Sequence, residues 1–187
     1  MTRGRAGTVL DRALPAWDWN EYHSIEVRPA ADQVIDAVDA LTWNDVPLFR
    51  RIMAAASLGR VPEERGARVL DLFDRGPYVL AHRDRDELVY VGFLRFRHAA
   101  YTPEFQSDPV MGFRDASPAG TVKVAMNFLY RDGLLSTETR CRATDSFSAR
   151  AFSVYWLLIR TGSGLIRRSW LRGIARVLRD SDKEVGA

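Results

Sequence analysis

The chain has 187 residues, of which 47% are hydrophobic and 27% charged, with a formal net charge of +3. This composition is typical of one globular domain. The single cysteine, Cys141, excludes an internal disulfide and a cysteine-based zinc module, and no apolar run approaches the roughly 18 residues of a membrane-spanning helix. We therefore expect a cytoplasmic protein with no transmembrane segment and no metal or cofactor.

The basic residues do not predict a nucleic-acid partner. All of them are arginine except Lys123 and Lys183, and the net charge is modest for the length. No helix-turn-helix, zinc or RNA-binding signature accompanies them. We expect no nucleic acid to bind.

The first third of the chain predicts a strand followed by two helices. Residues 1–20 have no periodic pattern and are expected to form an N-terminal arm. Alternating residues at 22–27 predict the first strand. Apolar residues at helical spacing predict a helix over 34–41 and a second over 45–53. Polar residues at 59–68 predict a connection.

The middle of the chain changes to a period of two. Residues 78–82 and 87–97 flank a polar turn and predict a β-hairpin. The proline-containing stretch 99–118 is the least regular, with one short strand expected at 111–114.

A second hairpin is indicated by Asp132-Gly133, a dipeptide that favours tight turns between antiparallel strands. If these two residues form the loop, Arg131 faces Leu134 and the register of both strands is fixed. One face of the pair is then mostly apolar, with Val122, Val124, Met126, Phe128 and Tyr130 opposite Ala143, Cys141, Thr139, Thr137 and Leu135. The other face is charged and expected to meet solvent, with Lys123, Ala125 and Asn127 opposite Arg142, Arg140 and Glu138.

The last third predicts a long helix. Its apolar stripe begins with Phe152, Tyr155, Trp156 and Ile159 and resumes after the sequence TGSG at 161–164. These glycines predict a break or kink. Binding of an anion at the second piece is the less favoured alternative, because no strand precedes the glycines.

The order of elements and two short motifs carry a family resemblance. The motifs are the run LSTETR at 135–140 and the pair Tyr155-Trp156 followed by GSGLIRR at 162–168. Over residues 20–178 the chain resembles a bacterial branch of the START-like, or SRPBCC, superfamily. The resemblance implies an α+β helix-grip fold. In that fold a curved antiparallel sheet wraps around a long C-terminal helix, and two short helices follow the first strand. The domain would span 21–180, followed by a tail at 181–187.

The resemblance also implies a cavity between sheet and helix that holds a small hydrophobic or aromatic molecule. Carried onto this sequence, its wall would be formed by three groups of side chains. They are Tyr90, Leu94, Val124, Met126 and Phe128 from the strands, Thr137 and Thr139 opposite them, and Phe152, Tyr155, Trp156 and Ile159 from the helix. The alternative is that the same residues fill the space as an ordinary core.

Candidate catalytic groups are few. Glu138 is expected in a surface ion pair with Arg140, although turned inward it would be a general acid or base. His23, His82 and His98 lack the spacing of metal ligands, so no metal site is predicted, and a single histidine at the cavity mouth remains a candidate base.

We therefore expect binding or carriage of a small hydrophobic molecule. The first alternative is a cyclase- or dehydratase-like enzyme that uses the same cavity. The second is an interaction module that uses the last helix, on which Arg168, Arg172, Arg176 and Arg179 share one face.

Overall fold

A five-stranded antiparallel sheet forms the centre of the molecule. The computed structural model describes residues 7–28, 31–56, 65–74, 76–96 and 108–185. The strands, in the order β1-β5-β4-β3-β2 across the sheet, are bounded as follows. They are β1 (Trp19–Glu26), β2 (Tyr78–Arg83), β3 (Glu87–Arg95), β4 (Thr121–Arg131) and β5 (Leu134–Ala143).

The β4–β5 hairpin has the predicted register. Val124 lies opposite Cys141 and Asn127 opposite Glu138. Asp132 and Gly133 both have positive φ, at 52° and 79°, as a tight hairpin turn requires. The alternation predicted from this turn is therefore confirmed.

Helices cover both faces of the sheet. They are α1 (Val9–Ala13), α2 (Ala31–Asp39), α3 (Pro47–Ala56), α4 (Asp71–Asp74), α5 (Pro109–Asp115) and α6 (Ser146–Val185). We call the face that contacts α6 the inner face, and the face that contacts α1 and α5 the outer face. The α+β class, the antiparallel sheet and the long C-terminal helix agree with the expectation. Two helices were expected after the first strand, and α2, α3 and the short α4 follow β1.

The inner face carries the larger core. Trp170 of α6 is 2% exposed, stacks on Phe128 of β4, and meets the edge of Phe49 of α3. A Cβ atom at Gly173 would lie 2.8 Å from the carbonyl oxygen of Asp45. Glycine at this position lets the C-terminal half of α6 approach the chain before α3 closely.

The outer face differs from the sequence expectation. Lys123, Asn127 and Arg140 were expected to meet solvent, yet they are only 6%, 3% and 3% exposed. The ammonium of Lys123 donates to the carbonyl oxygens of Arg114 and Ala116 at the end of α5. Burial, followed by the charge of Arg142, lowers the pKa of Lys123 to about 8.

The cover over this face comes from segments that were expected to be irregular. Residues 1–20, expected as an arm, contain α1, which buries Val9, Leu10 and Ala13. The expected strand at 111–114 is part of α5, which begins after the capping residue Asp108. Five-residue and seven-residue helices are too short to give a periodic apolar signal.

The last helix also differs from expectation, because α6 runs through residues 161–164 without a break and reaches Val185. Forty residues correspond to about 60 Å of helix. A Cβ atom at Gly164 would lie 2.9 Å from Glu21 Oε1 and 3.5 Å from His23 Nε2. Gly164 therefore serves close approach to β1. Arg168, Arg172, Arg176 and Arg179 are exposed, as predicted.

Candidate functional site

The candidate site lies on the inner face beneath the middle of α6. Strand alternation directs Trp19, Glu21 and His23 of β1 toward the helix, and these residues pair with Cys141, Thr139 and Thr137 of β5. The same three β5 residues pair on their other side with Val124, Met126 and Phe128 of β4. Three adjacent rows of side chains thus cross the sheet under α6.

One end of the site is aromatic. Phe152 of α6 contacts the edge of Trp19 at a centroid distance of 4.8 Å and stacks near Trp156 at 5.7 Å. Phe96 and Tyr155 complete this end at 6.1 and 5.7 Å from Phe152. These five residues are called the aromatic end below.

The other end is polar, and Arg167 of α6 is its centre. Its Nη2 atom donates to Thr139 Oγ1 at 2.7 Å, and its Nη1 atom contacts Thr137 Oγ1 at 3.4 Å and the Met126 sulfur. The guanidinium carbon lies 4.9 Å from the centre of the Trp170 ring. Burial lowers the pKa of Arg167 to about 10, so the group stays charged at neutral pH.

Glu21 and His23 form a pair beside this arginine. Glu21 Oε1 and His23 Nε2 are 2.8 Å apart, and the two side chains are 12% and 15% exposed. The second carboxylate oxygen, Glu21 Oε2, is buried and has no hydrogen-bond partner in the parts of the chain that the structure describes. Arg167, Thr137, Thr139, Glu21 and His23 are called the polar end below.

Burial also affects the neutral acids of the site. It raises the pKa of Cys141 to about 12 and the pKa of Tyr78 to about 12. Both groups therefore remain protonated at neutral pH. The Cys141 thiol is 2% exposed, and a protonated thiol is a poor nucleophile.

A groove of about 610 Å³ leads to the polar end from the edge of the sheet. Glu21 and His23 of β1 line one side, and Gly164, Leu165 and Arg168 of α6 line the other. Because β1 is an edge strand, no further strand of the described residues covers this opening. Glu21 and His23 of the polar end thus line an open groove.

The residues predicted to line a cavity fall into three groups, apart from Tyr155 and Ile159. Val124, Phe152 and Trp156 are buried in one cluster with half-buried Leu94 against it, whereas Tyr90, Met126 and Phe128 belong to the larger core around Trp170. Thr137 and Thr139 bind Arg167. Tyr155 is 42% exposed. The side chain of Ile159 lies outside the described residues.

Glu138, the candidate acid or base, lies on the outer face. Its carboxylate accepts from Arg140 Nε at 2.9 Å, and its side chain is 18% exposed. The inward orientation that catalysis would require is not found. His82 pairs with Asp84 near the β2–β3 turn, and His98 lies outside the described residues.

Sequence reasoning missed Glu21 as a site residue and placed His23 only among general candidates. It considered Arg167 only with Arg168, in the less favoured anion site after the expected helix break. The alternation that points Glu21 and His23 inward was present, but the strand was expected to begin at residue 22. Arg167 was expected beyond a helix break, where its direction relative to the sheet is undefined. An unbroken helix at 3.6 residues per turn places Arg167 on the stripe of Trp156 and Trp170.

Two further observations concern what is absent from the described parts of the chain. No three His, Cys, Asp or Glu side chains there come together as a metal-ligand group. Among the helices of those parts, none is both long and apolar enough to cross a membrane.

Comparison of the chain with family models, curated proteins and solved structures finds no significant match.

Proposed function

We propose that this protein binds a small apolar or aromatic molecule between the inner face of the sheet and α6, as START-like helix-grip proteins do. The observation that carries the proposal is the arrangement of the aromatic end and the polar end side by side under one helix. Ligand sites are typically apolar with a few polar groups that fix orientation.

Two further features support this function. The groove between β1 and α6 gives a small molecule a route to the polar end. The aromatic end also extends into solvent through Tyr155, which is 42% exposed although it contacts Phe152. A guest that covered this ring would remove apolar surface from water, at about 25 cal/mol per Å².

Native mass spectrometry of the freshly purified protein tests this function. We expect a co-purified molecule, or binding of added 2-naphthol, detected as a mass shift. Tyr155→Ala should weaken binding of 2-naphthol, whereas Val154→Ala, one position along α6 and 63% exposed, should not. Absence of any bound molecule, or equal binding by both variants, would contradict the proposal.

The second candidate function is a cyclase- or dehydratase-like enzyme, which the ionisable pair on β1 favours. Glu21 and His23 face α6 beside the hydroxyl of Thr139, in reach of the same space as Arg167. A histidine held by a carboxylate is a common general base, and a guanidinium stabilises an enolate oxygen.

Deuterium exchange into the α-position of 2-tetralone, followed by NMR, tests the catalytic candidate. In this exchange the base removes a C–H proton, the electron pair moves to the carbonyl oxygen, and a solvent deuteron returns to carbon. We expect acceleration by the wild type and its loss in His23→Gln, with His82→Gln near the β2–β3 turn as the control. If the wild type does not accelerate the exchange, the catalytic candidate is overturned and the binding function stands.

A further inference from the structure

The guanidinium of Arg167, on a partly buried residue, has no contacting counter-ion among the described residues. Its described contacts are the hydroxyls of Thr137 and Thr139, the sulfur of Met126 and the ring of Trp170, all of which are neutral. The ion pairs within 4.0 Å among the described residues do not include Arg167. Burying a charge is costly unless an opposite charge and hydrogen bonds compensate it.

The guanidinium still has donors to offer. It carries five N–H groups, and the contacts to Met126, Thr137 and Thr139 use three of them, two at Nη1 and one at Nη2. The hydrogen bonds between described residues do not use the Nε–H or the second Nη2–H. Two N–H groups on adjacent nitrogens of one guanidinium form the fork that matches the two oxygens of a carboxylate.

Glu21 does not fill this role. Its Oε1 atom is held by His23 at 2.8 Å, and its Oε2 atom makes no hydrogen bond. Its negative charge nevertheless acts on Arg167 and helps to keep it protonated. The positive charge of Arg167 would offset one negative charge on a guest. A second negative charge on the guest would meet only the repulsion of Glu21.

We propose that Arg167 binds the carboxylate of the guest, and that the ligands of this site are apolar or aromatic monocarboxylates. The inference rests on the proposed binding function and adds the chemical class of the ligand. The carboxylate would lie at the polar end against Arg167, and the hydrocarbon part would extend toward the aromatic end.

Titration calorimetry of the full chain with matched probe pairs tests this assignment. The pairs are 2-naphthoate with 2-naphthamide and decanoate with decanamide, which differ in charge but little in shape. In the wild type we expect each carboxylate to bind about tenfold or more tightly than its amide. In Arg167→Met the ratio should fall to about one, because the amide needs no charged partner.

Two variants keep the test independent of folding. Arg172→Met, at an exposed position of α6 that does not line the groove, should retain the wild-type ratio. If Arg167→Met does not fold, Thr139→Val takes its place in the test. It removes a hydroxyl that holds the guanidinium and should lower the ratio by about threefold. Thermal unfolding verifies that each variant is folded.

The outcomes separate this inference from the proposed function. Amides that bind as tightly as carboxylates, or a carboxylate preference that persists in Arg167→Met, would overturn the ligand class and leave the binding function intact. If none of the four compounds binds to the wild type, both are overturned.

Discussion

The two faces of the sheet bury charge in different ways. On the outer face Arg140 is in contact with both Asp11 and Glu138, at 2.8 and 2.9 Å, and its Nη1 atom donates to the carbonyl oxygen of Leu14. On the inner face Arg167 has only neutral partners, and Glu21 has an oxygen with none. The outer network is complete, whereas the inner set of polar groups is not.

This difference separates a structural role from a binding role. Buried charges that are fully paired help to hold elements together. Removing one partner leaves the other as an uncompensated buried charge, which is strongly destabilising. Buried charges that lack a contacting partner lower stability, and they serve recognition when a ligand supplies the missing partner. The same substitution on the two faces should therefore have different consequences.

The largest effect is expected from Arg140→Met, which breaks the outer network. It leaves the carboxylates of Asp11 and Glu138 without their partner and should lower the free energy of unfolding by about 3–5 kcal/mol. Urea denaturation measures the change. Arg142→Met, on the same strand but exposed, should change stability by less than about 0.5 kcal/mol. Equal effects of the two would mean that the network is not structural.

Glu87→Gln should have the next largest effect, because the Glu87 carboxylate holds the first turn of α1. It accepts from the backbone N–H groups of Val9 and Leu10 at 2.7 and 3.3 Å, and from Asn127 Nδ2 at 2.7 Å. The loss should be about 1–3 kcal/mol. Hydrogen exchange at Val9 and Leu10 should accelerate, while Asp86→Asn in the neighbouring turn leaves it unchanged.

A pH-dependent effect is expected from the inner face. Burial raises the pKa of the Cys141 thiol from 9.0 to about 12, so the folded state keeps its proton where the unfolded chain loses it. This contribution to stability is complete below about pH 9 and is lost as the pH rises toward 12, at about 1.4 kcal/mol per unit. Urea denaturation at pH 8 and pH 10 should show a steeper loss for the wild type than for Cys141→Ala. Parallel losses would contradict the shift.

Arg167→Met should have the smallest effect on stability and gives the sharpest comparison with Arg140→Met. A methionine of similar length removes the attraction between Arg167 and Glu21 but breaks no contact with a carboxylate among the described residues, so the free energy of unfolding should change by about 1 kcal/mol or less. A loss as large as that of Arg140→Met would show that the two faces do not differ in this respect.

Much of the inner face could be predicted because its signals are local. The turn at Asp132 and Gly133 fixes the β4–β5 register, and a period of two then assigns every side chain of the hairpin to a face. The outer face could not be predicted in this way. The helices α1 and α5 cover it, and their contacts with the sheet join residues far apart in sequence. The alternation of the strand is the same whether Lys123 is buried or exposed.

The glycines of α6 illustrate the same limit at the candidate site. Glycine in a helix ordinarily predicts a break, since it costs about 1 kcal/mol relative to alanine. Gly164 is instead placed where Glu21 and His23 need room, and that requirement exists only once β1 lies against the helix. Tertiary contact, which no local pattern records, decides the conformation there.

The attachment of α1 has a consequence for the order in which parts of the protein fold. Its bonds to Glu87 span 78 and 77 positions, and the bond from Arg140 to Leu14 spans 126. During synthesis residues 9–14 leave the ribosome long before Arg140 exists, so the bond between Leu14 and Arg140 forms only after a further 126 residues have been made. Contacts of such long range form slowly, so α1 docks well after its own residues have been translated.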